Sequence, residues 1–166
     1  MKRVRAYRHQ SRQVALQVLY AVDVVDRLRS SASPTEAQTF ESVAANFDLP
    51  EGARAFAEQL VVGVSTHREA LDARISEHAK NWRLSRMAAV DRNVLRLAVY
   101  ELEHGDTPAS VILDEAVELA RRFGDDPSPA FVNGVLDAVA REVRGAELAR
   151  AARPPRARRS AREPAS

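Results

Sequence analysis

The sequence contains no cysteine, and this absence excludes disulfide bonds, thiolate metal sites and cysteine nucleophiles. A chain of 166 residues is nevertheless long enough to form a hydrophobic core without such covalent support. No apolar run approaches the length of a membrane span, and the basic N-terminus MKRVRAYRHQSRQ lacks the apolar stretch of a signal peptide. We therefore expect a cytoplasmic protein with no membrane-spanning segment.

The sequence also lacks the motifs that mark most active sites. It has no glycine-rich phosphate loop, no GxSxG nucleophile turn and no glycine pattern for dinucleotide binding. Its four histidines show no spacing that suits a metal ion. Acidic pairs such as Asp114 with Glu115 are typical of a solvated helix start, where the helix dipole favours negative charge. We expect no catalytic residue, no bound metal and no cofactor.

Charge is distributed unevenly along the chain, whose net charge is only +2. Residues 1–12 carry five basic residues and no acidic one, while residues 144–166 carry seven arginines and two glutamates. Each end therefore has a charge of +5, and residues 13–143 hold the balance of −8. A basic terminus on an acidic body concentrates positive potential in one place, which favours a polyanionic ligand there.

The C-terminal residues 144–166 are rich in arginine, proline and alanine and offer almost nothing to bury. This composition is typical of disorder. We interpret the segment as a disordered, solubilising tail that follows a folded part formed by residues 1–143.

Apolar residues recur with helical spacing throughout the folded part, and no stretch alternates for long enough to form a strand. The pattern predicts an all-α protein of two small helical bundles packed together, over about residues 8–80 and 82–143, with Trp82 at the junction. The first helix is predicted from about Arg8 to Leu28, so that Arg8 and Arg12 lie one turn apart on a common face.

Further helix boundaries follow from capping signals and glycines. Ser33 is predicted to cap the second helix, and the third helix is predicted to continue to about Ala79. The fourth main helix is predicted over about Arg86–His104. Gly63 and Gly134 lie inside predicted helices, where a missing side chain allows a neighbouring helix to approach closely.

The N-terminal arginines favour RNA over other ligands. An arginine side chain can bind a phosphate with two donors and stack on an exposed base. Arg3, Arg5, Arg8 and Arg12, together with Tyr7, could therefore neutralise an RNA backbone and stack one base. The alternative interpretation is a frayed, charged terminus with no specific ligand.

Three ordered segments resemble the NusB family, the all-helical RNA-binding factors of bacterial transcription antitermination. They are VDRNVLRLAVYEL from Val90 to Leu102, DEAVELARRFG from Asp114 to Gly124, and FVNGVLD from Phe131 to Asp137. RQVALQVLY, FAEQLVVGV and NWRL in the first half agree more loosely, and together the matches cover about residues 8–140. The resemblance implies a NusB-like fold and binding of boxA-type RNA in nascent ribosomal RNA transcripts, together with ribosomal protein NusE and the elongation complex.

The resemblance also implies roles for individual residues. It assigns Arg3, Arg5, Arg8, Arg12 and Phe131 to single-stranded boxA RNA, and it assigns Tyr20 and Asp91 to the surface that binds NusE. The residues by themselves leave alternatives open. Tyr20 and Phe131 could be packing residues, and Asp91 could serve only as a partner of the helix dipole.

Two other functions remain open at this point. One is an RNA-binding appendage like the NusB-like domain of some ribosomal RNA methyltransferases, although this chain has no cofactor-binding glycine motif. The other is a helical adaptor that binds only protein in ribosomal RNA maturation. The sequence leaves the free protein as either a monomer or a homodimer.

Overall fold

The computed structural model describes residues 2–28 and 34–151, and every regular element in this part of the chain is helical. The all-α prediction is therefore confirmed for these residues. A short 3₁₀ turn at Leu84–Arg86 precedes α5. The helices are α1 (Lys2–Leu28), α2 (Glu36–Ala44), α3 (Glu51–Thr66), α4 (Arg68–His78), α5 (Ala89–His104), α6 (Ala109–Phe123) and α7 (Ser128–Ala151).

The first helix begins earlier than its apolar spacing predicts. α1 starts at Lys2 rather than near Arg8, because arginine, alanine and glutamine are good helix formers even where no apolar stripe continues. The N-terminal arginines are thus presented from a helix and not from an irregular arm.

The second and third helices also differ from the prediction. The cap of α2 is Thr35, whose hydroxyl accepts the Gln38 N–H in a capping box, while Ser33 lies outside the described residues. The predicted long third helix is divided into α3 and α4 at His67, whose φ and ψ of −101° and 12° leave the helical region. The β-branched run that precedes His67 lowers helix propensity at this point.

The C-terminal helix extends past the predicted start of the tail. Residues 144–151 belong to α7, and α7 is kinked at Arg144, where φ and ψ are −131° and 31°. The Arg144 guanidinium donates to the carbonyls of Glu101, Leu102, Gly105 and Thr107 at 2.6–2.9 Å. These carbonyls lie in and after the last turn of α5, where helix ends leave backbone acceptors unpaired. The Glu101 carbonyl also accepts the Gly105 N–H. The remaining tail residues, 152–166, lie outside the described residues.

The two predicted halves share one hydrophobic core. Buried residues from α1 to α4 and from α5 to α7 form a single cluster, which includes Leu16, Leu60, Leu71, Leu97, Ile112 and Leu136. α5 lies at the centre, in contact with α1, α3, α4, α6 and α7. None of the helices in the described ranges combines the length and the apolar character that crossing a bilayer requires.

Candidate nucleic-acid interface

Two buried ion pairs set the position of α1 against α5. Arg12 Nε and Nη2 donate to the two carboxylate oxygens of Glu101, each at 2.8 Å. Eleven residues along α1, Asp23 Oδ2 accepts from Arg92 Nε at 2.9 Å and Nη2 at 2.6 Å. The two helices are therefore antiparallel, and α1 begins at the end of the bundle where α5 terminates.

This geometry presents a basic surface on the first turns of α1. Arg3, Arg5 and Arg8 are exposed, and Arg8 Cζ lies 4.9 Å from the centre of the Phe56 ring on α3. A guanidinium over an aromatic ring gains a cation–π contact while its donors stay accessible. Free backbone N–H groups at the start of α1 add partial positive charge at the same place.

Arg12 differs from the other three arginines because it is buried. Its side chain is 3% exposed, it pairs with Glu101, and it lies 3.8 Å from Glu115 on α6. A direct contact between Arg12 and RNA would require the guanidinium to leave Glu101. Its assignment to RNA stays a prediction, while its contacts give it a clear task in holding the start of α1.

His9, Glu101 and Glu115 belong to this region, although the sequence predicted no binding role for them. Glu115 was expected at a solvated helix start, but it lies within α6 with a side chain only 12% exposed. His9 Nδ1 lies 2.6 Å from Glu115 Oε2, and these residues are 106 positions apart. Glu101 and Arg12 are 89 positions apart. No local pattern could have indicated such pairs, because their proximity depends on how α1, α5 and α6 pack.

Tyr20 lies on α1 towards the other end of the bundle. Its side chain is 42% exposed, and it borders an apolar groove of about 380 Å³ together with Leu16, Val43, Val90 and Phe123. An exposed phenol beside an apolar groove offers both an apolar surface and a hydrogen-bonding group to a protein partner. Its assignment to partner binding stays a prediction.

Asp91 is a buried acid with an unsatisfied oxygen. It is 9% exposed, and its Oδ1 has no hydrogen-bonding partner. Burial raises the pKa of Asp91, the nearby Ser128 hydroxyl opposes this effect, and the charge of Asp125 adds to it. The carboxyl lines a cavity of about 240 Å³ together with Trp82 and Phe131. A donor from another molecule could satisfy this oxygen.

Phe131 lies in that second region and not beside the N-terminal arginines. Its half-buried ring packs edge to face on Trp82, with 6.1 Å between the ring centres. Trp82 is 60% exposed and is therefore available to a ligand. The sequence predicted Trp82 at the junction of the two halves but did not indicate this exposed surface. Ten residues of α5 separate Asp91 from Glu101, which corresponds to about 15 Å along the helix.

Arg92 and Arg96 do not extend the basic surface. Both are buried: Arg92 pairs with Asp23, and Arg96 donates to Asp72 at 2.6 and 2.9 Å. Burial alone would raise the pKa of Asp23, but hydrogen bonds from Arg92 and Asn93 and the charges of the two arginines lower it. The two arginines therefore join helices and offer no free donors to RNA.

One group of side chains resembles a cation site. Atoms of Glu77, His78 and Glu142 lie within 4.8 Å of one another. Arg74 Nη1 donates to Glu142 at 2.5 Å, and Arg74 Nε donates to Glu103 at 2.9 Å. This guanidinium already supplies positive charge to the cluster, which disfavours a metal ion at the same carboxylates.

Comparison with known proteins gives one consistent family. The pattern of the NusB family matches residues 9–141. The transcription antitermination protein NusB of Anaeromyxobacter dehalogenans (strain 2CP-1 / ATCC BAA-258) is 48% identical over 134 residues, which cover 80% of this chain and 89% of that protein. The protein of the same name from Solibacter usitatus is 46% identical over 138 residues, covering 83% and 91%.

Solved structures agree with the sequence matches. NusB of T. maritima superposes with a TM-score of 0.74 and 32% identity, covering 86% of this chain and 96% of that one. A chain from a crystal structure of antitermination factors NusB and NusE in complex with dsRNA has a TM-score of 0.70 and 29% identity, covering 82% and 98%.

Proposed function

Because this chain belongs to the NusB family, we propose that it is a transcription antitermination factor that binds boxA-type RNA in nascent ribosomal RNA transcripts together with ribosomal protein NusE. The observation that carries the RNA part is the set of exposed arginines on the first turns of α1. The likeness to a structure of NusB and NusE in complex with dsRNA supports RNA as the class of ligand and NusE as the partner. The function is binding, with no catalytic step assigned to any residue.

We assign different tasks to the predicted RNA residues. Arg3, Arg5 and Arg8 contact backbone phosphates, because their side chains are exposed. Arg12 holds the start of α1 against Glu101 and so fixes where these three side chains point. Phe131 receives a base beside Trp82, so that one RNA strand extends from the start of α1 along the length of α5.

The partner NusE would occupy the groove beside Tyr20 and reach the Asp91 edge of the neighbouring cavity, whose opposite side, at Trp82 and Phe131, is left to the RNA base. The apolar groove beside Tyr20 supplies area to bury, and the unsatisfied Asp91 oxygen accepts a hydrogen bond from the partner. RNA affinity of the protein alone is then modest and increases when NusE adds its own contacts to the same RNA. The resulting complex acts on the elongating polymerase in the bacterial cytoplasm.

The decisive experiment is titration of labelled single-stranded boxA RNA at several salt concentrations, with and without NusE. Replacing Arg3, Arg5 and Arg8 by alanine should weaken binding and reduce the slope of log affinity against log salt by about 2, since each lost phosphate contact on a single strand contributes about 0.7. The control variant Arg121→Ala with Arg141→Ala removes exposed charges elsewhere and should leave the slope unchanged.

Other outcomes would favour the competing functions. Unchanged RNA binding by the triple variant would contradict the assignment of the start of α1. Capture of NusE with no RNA binding under any condition would favour the protein adaptor. RNA binding that NusE never strengthens would favour an RNA-binding appendage. Sedimentation of the free protein tests separately whether it is a monomer or a homodimer.

A further inference from the structure

The segment that connects α4 to α5 carries a second group of exposed basic residues. This connecting segment, residues 79–88, has the sequence AKNWRLSRMA and contains no acidic residue. Its exposed basic residues are Lys80, Arg83 and Arg86. Among the residues that the structure describes, none of these three side chains pairs with an acid, whereas Arg92, which follows in α5, is buried against Asp23. The three charges are therefore available to a ligand.

Trp82 lies between these basic residues in the chain, and it is 60% exposed. Consecutive Cα atoms are about 3.8 Å apart, so those of Arg83 and Lys80 lie within about 7.6 Å of the Trp82 Cα. Arg86 lines the same cavity as Trp82 and Phe131. An exposed aromatic ring among basic side chains is typical of surfaces for single-stranded nucleic acid, because bases stack on the ring while phosphates bind the cations.

The backbone of the connecting segment is fixed by a buried side chain. Arg92 Nη1 donates to the carbonyl of Leu84 at 3.1 Å and to that of Met87 at 2.9 Å, and the same guanidinium pairs with Asp23. The Met87 side chain is itself part of the hydrophobic core. The exposed side chains thus extend from an ordered backbone, which lowers the entropic cost of binding a ligand there.

The charges around the cavity indicate the side on which an RNA backbone fits. Trp82 and Arg86 come from the connecting segment, whereas Asp125 comes from the opposite wall, between α6 and α7. Phosphate is attracted to the Arg86 guanidinium and repelled by the Asp125 carboxylate. A nucleotide therefore fits with its phosphate along the connecting segment and its base towards Phe131.

We propose that Lys80, Arg83 and Arg86 form a second phosphate-binding site, which holds the backbone of the same single-stranded RNA while a base stacks on Trp82. This proposal rests on the proposed function, because it takes that RNA as its ligand. The first site, on α1, lies at the end of the bundle where α5 terminates, and the second lies where α5 begins. The 16 residues of α5 separate the two sites by about 24 Å.

Salt titration of labelled single-stranded boxA RNA tests the phosphate contacts. The full-length protein with Lys80, Arg83 and Arg86 changed to alanine should show a slope of log affinity against log salt that is smaller by about 2, since each lost contact contributes about 0.7. The matched control, Lys80→Arg with Arg83→Lys and Arg86→Lys, should keep most of the slope, because both side chains neutralise phosphate. A reduction smaller than about 0.7 in the alanine variant would overturn the inference.

Trp82 fluorescence tests the stacked base, because Trp82 is the only tryptophan of the chain. Saturating RNA should quench the emission, and Trp82→Ala should weaken RNA binding by about 5-fold or more. Trp82→Phe keeps an aromatic ring and should retain most of the affinity. Emission that saturating RNA leaves unchanged would count against the inference, and a change caused by NusE alone would then assign the ring to the partner.

The variant with alanine at Arg3, Arg5 and Arg8 is measured in parallel. If that variant loses affinity while the connecting-segment variant does not, and RNA leaves the Trp82 emission unchanged, the proposed function stands and only this inference fails. If neither variant loses affinity, the proposed RNA surface on α1 fails as well. Circular dichroism of each variant verifies that the helical fold is retained.

Discussion

At the scale of single residues, two buried aspartates show that hydrogen-bonding partners determine whether the pKa of a buried carboxyl is raised or lowered. Asp23 accepts hydrogen bonds from Arg92 and Asn93, and its pKa is lowered although burial opposes this. Asp91 keeps one oxygen without a partner, and burial raises its pKa. A buried carboxylate is stable only where donors replace the lost water. Asp91 therefore lacks the donors that stabilise the charged form of Asp23.

The raised pKa of Asp91 gives a pH dependence with a definite sign. The folded protein binds the Asp91 proton more tightly than the unfolded chain, so Asp91 favours folding below the ordinary aspartate pKa of 3.8 and loses this contribution as the pH rises through its folded-state pKa. We expect Asp91→Asn to increase the free energy of unfolding at pH 7 and to have no such effect below pH 3.8. Urea unfolding across this pH range measures the difference.

The exposed Asp106→Asn variant is the control, and its stability should follow that of the unchanged protein at every pH. Greater stabilisation by Asp91→Asn in acid than at pH 7 would contradict the sign. If NusE binding depends on the Asp91 carboxylate, Asp91→Asn should bind NusE more weakly although it is more stable. The effect on binding is then distinct from the effect on stability.

The buried Arg12 and Glu101 pair predicts a large stability effect. Arg12→Ala leaves the Glu101 carboxylate buried without its partner and should cost about 3–5 kcal/mol in the free energy of unfolding. Denaturant unfolding measures this loss. Arg8→Ala, at an exposed position, should change stability by less than about 1 kcal/mol. The double variant Arg12→Met with Glu101→Leu should recover most of the loss, and a double variant as unstable as Arg12→Ala would contradict this account.

At the scale of elements, α5 combines its central position with an unusually polar sequence. Arg92 pairs with α1, Arg96 with α4, and Glu101 again with α1. Sequence patterns normally place such residues on a solvated face. Here Arg92, Arg96 and Glu101 each bind a neighbouring helix, and these pairs explain how a helix with four buried charged side chains, Asp91 included, can sit at the centre of the fold.

The two glycines that the sequence predicted to allow close packing behave differently. A Cβ at Gly63 would lie 2.1 Å from Tyr100 Cζ, so close packing is confirmed there. A Cβ at Gly134 would meet nothing within 4 Å, so the same prediction was wrong for α7. The periodic pattern shows that a glycine lies in a helix, but only the neighbouring helix decides whether its missing side chain matters.

These positions form a matched pair for mutation. Gly63→Ala forces the Tyr100 ring aside and should destabilise the protein by about 1–3 kcal/mol. Gly134→Ala removes an entropic cost at an exposed helical position and should stabilise it by about 0.5–1 kcal/mol. Thermal and urea unfolding of both variants measure the two effects. A loss of stability in Gly134→Ala would show an unrecognised close contact on α7.

At the scale of the whole molecule, the chain ends and the body carry opposite charge. Residues 13–143 are acidic, and both termini are basic. Glu101 near the end of α5 contacts both Arg12 of α1 and Arg144 of α7, so these parts of the first and last helices lie at the same end of the bundle.

The shared core predicts a single unfolding transition. Residues of both sequence halves pack into one cluster, and ion pairs from Asp23 to Arg92 and from Asp72 to Arg96 connect the halves. We expect calorimetric and van't Hoff enthalpies of unfolding to agree, and far-ultraviolet circular dichroism to follow Trp82 fluorescence. Two separated transitions would show that the bundles unfold independently.

Local sequence determined the helices of this protein, because apolar periodicity and capping residues act within a few positions. The apolar stripes of α1, α5, α6 and α7 follow the sequence pattern, and the helix ends at Gly105 and Gly124 follow their glycines. The resemblance to the NusB family was likewise visible in three short segments and is confirmed. The sequence placed Arg8 and Arg12 on a helix, and the structure added only that α1 extends back to Lys2 and so includes Arg3 and Arg5.

Tertiary structure alone decided which of these residues act together. Arg12 and Glu101, like Arg92 and Asp23, meet only because α1 and α5 pack antiparallel. No local sequence pattern predicts this packing. The same packing separates Phe131 from the N-terminal arginines and leaves the Asp91 oxygen unpaired. Ionic and aromatic contacts depend on distances in space, and for residues far apart in the chain those distances are set by the packing of helices.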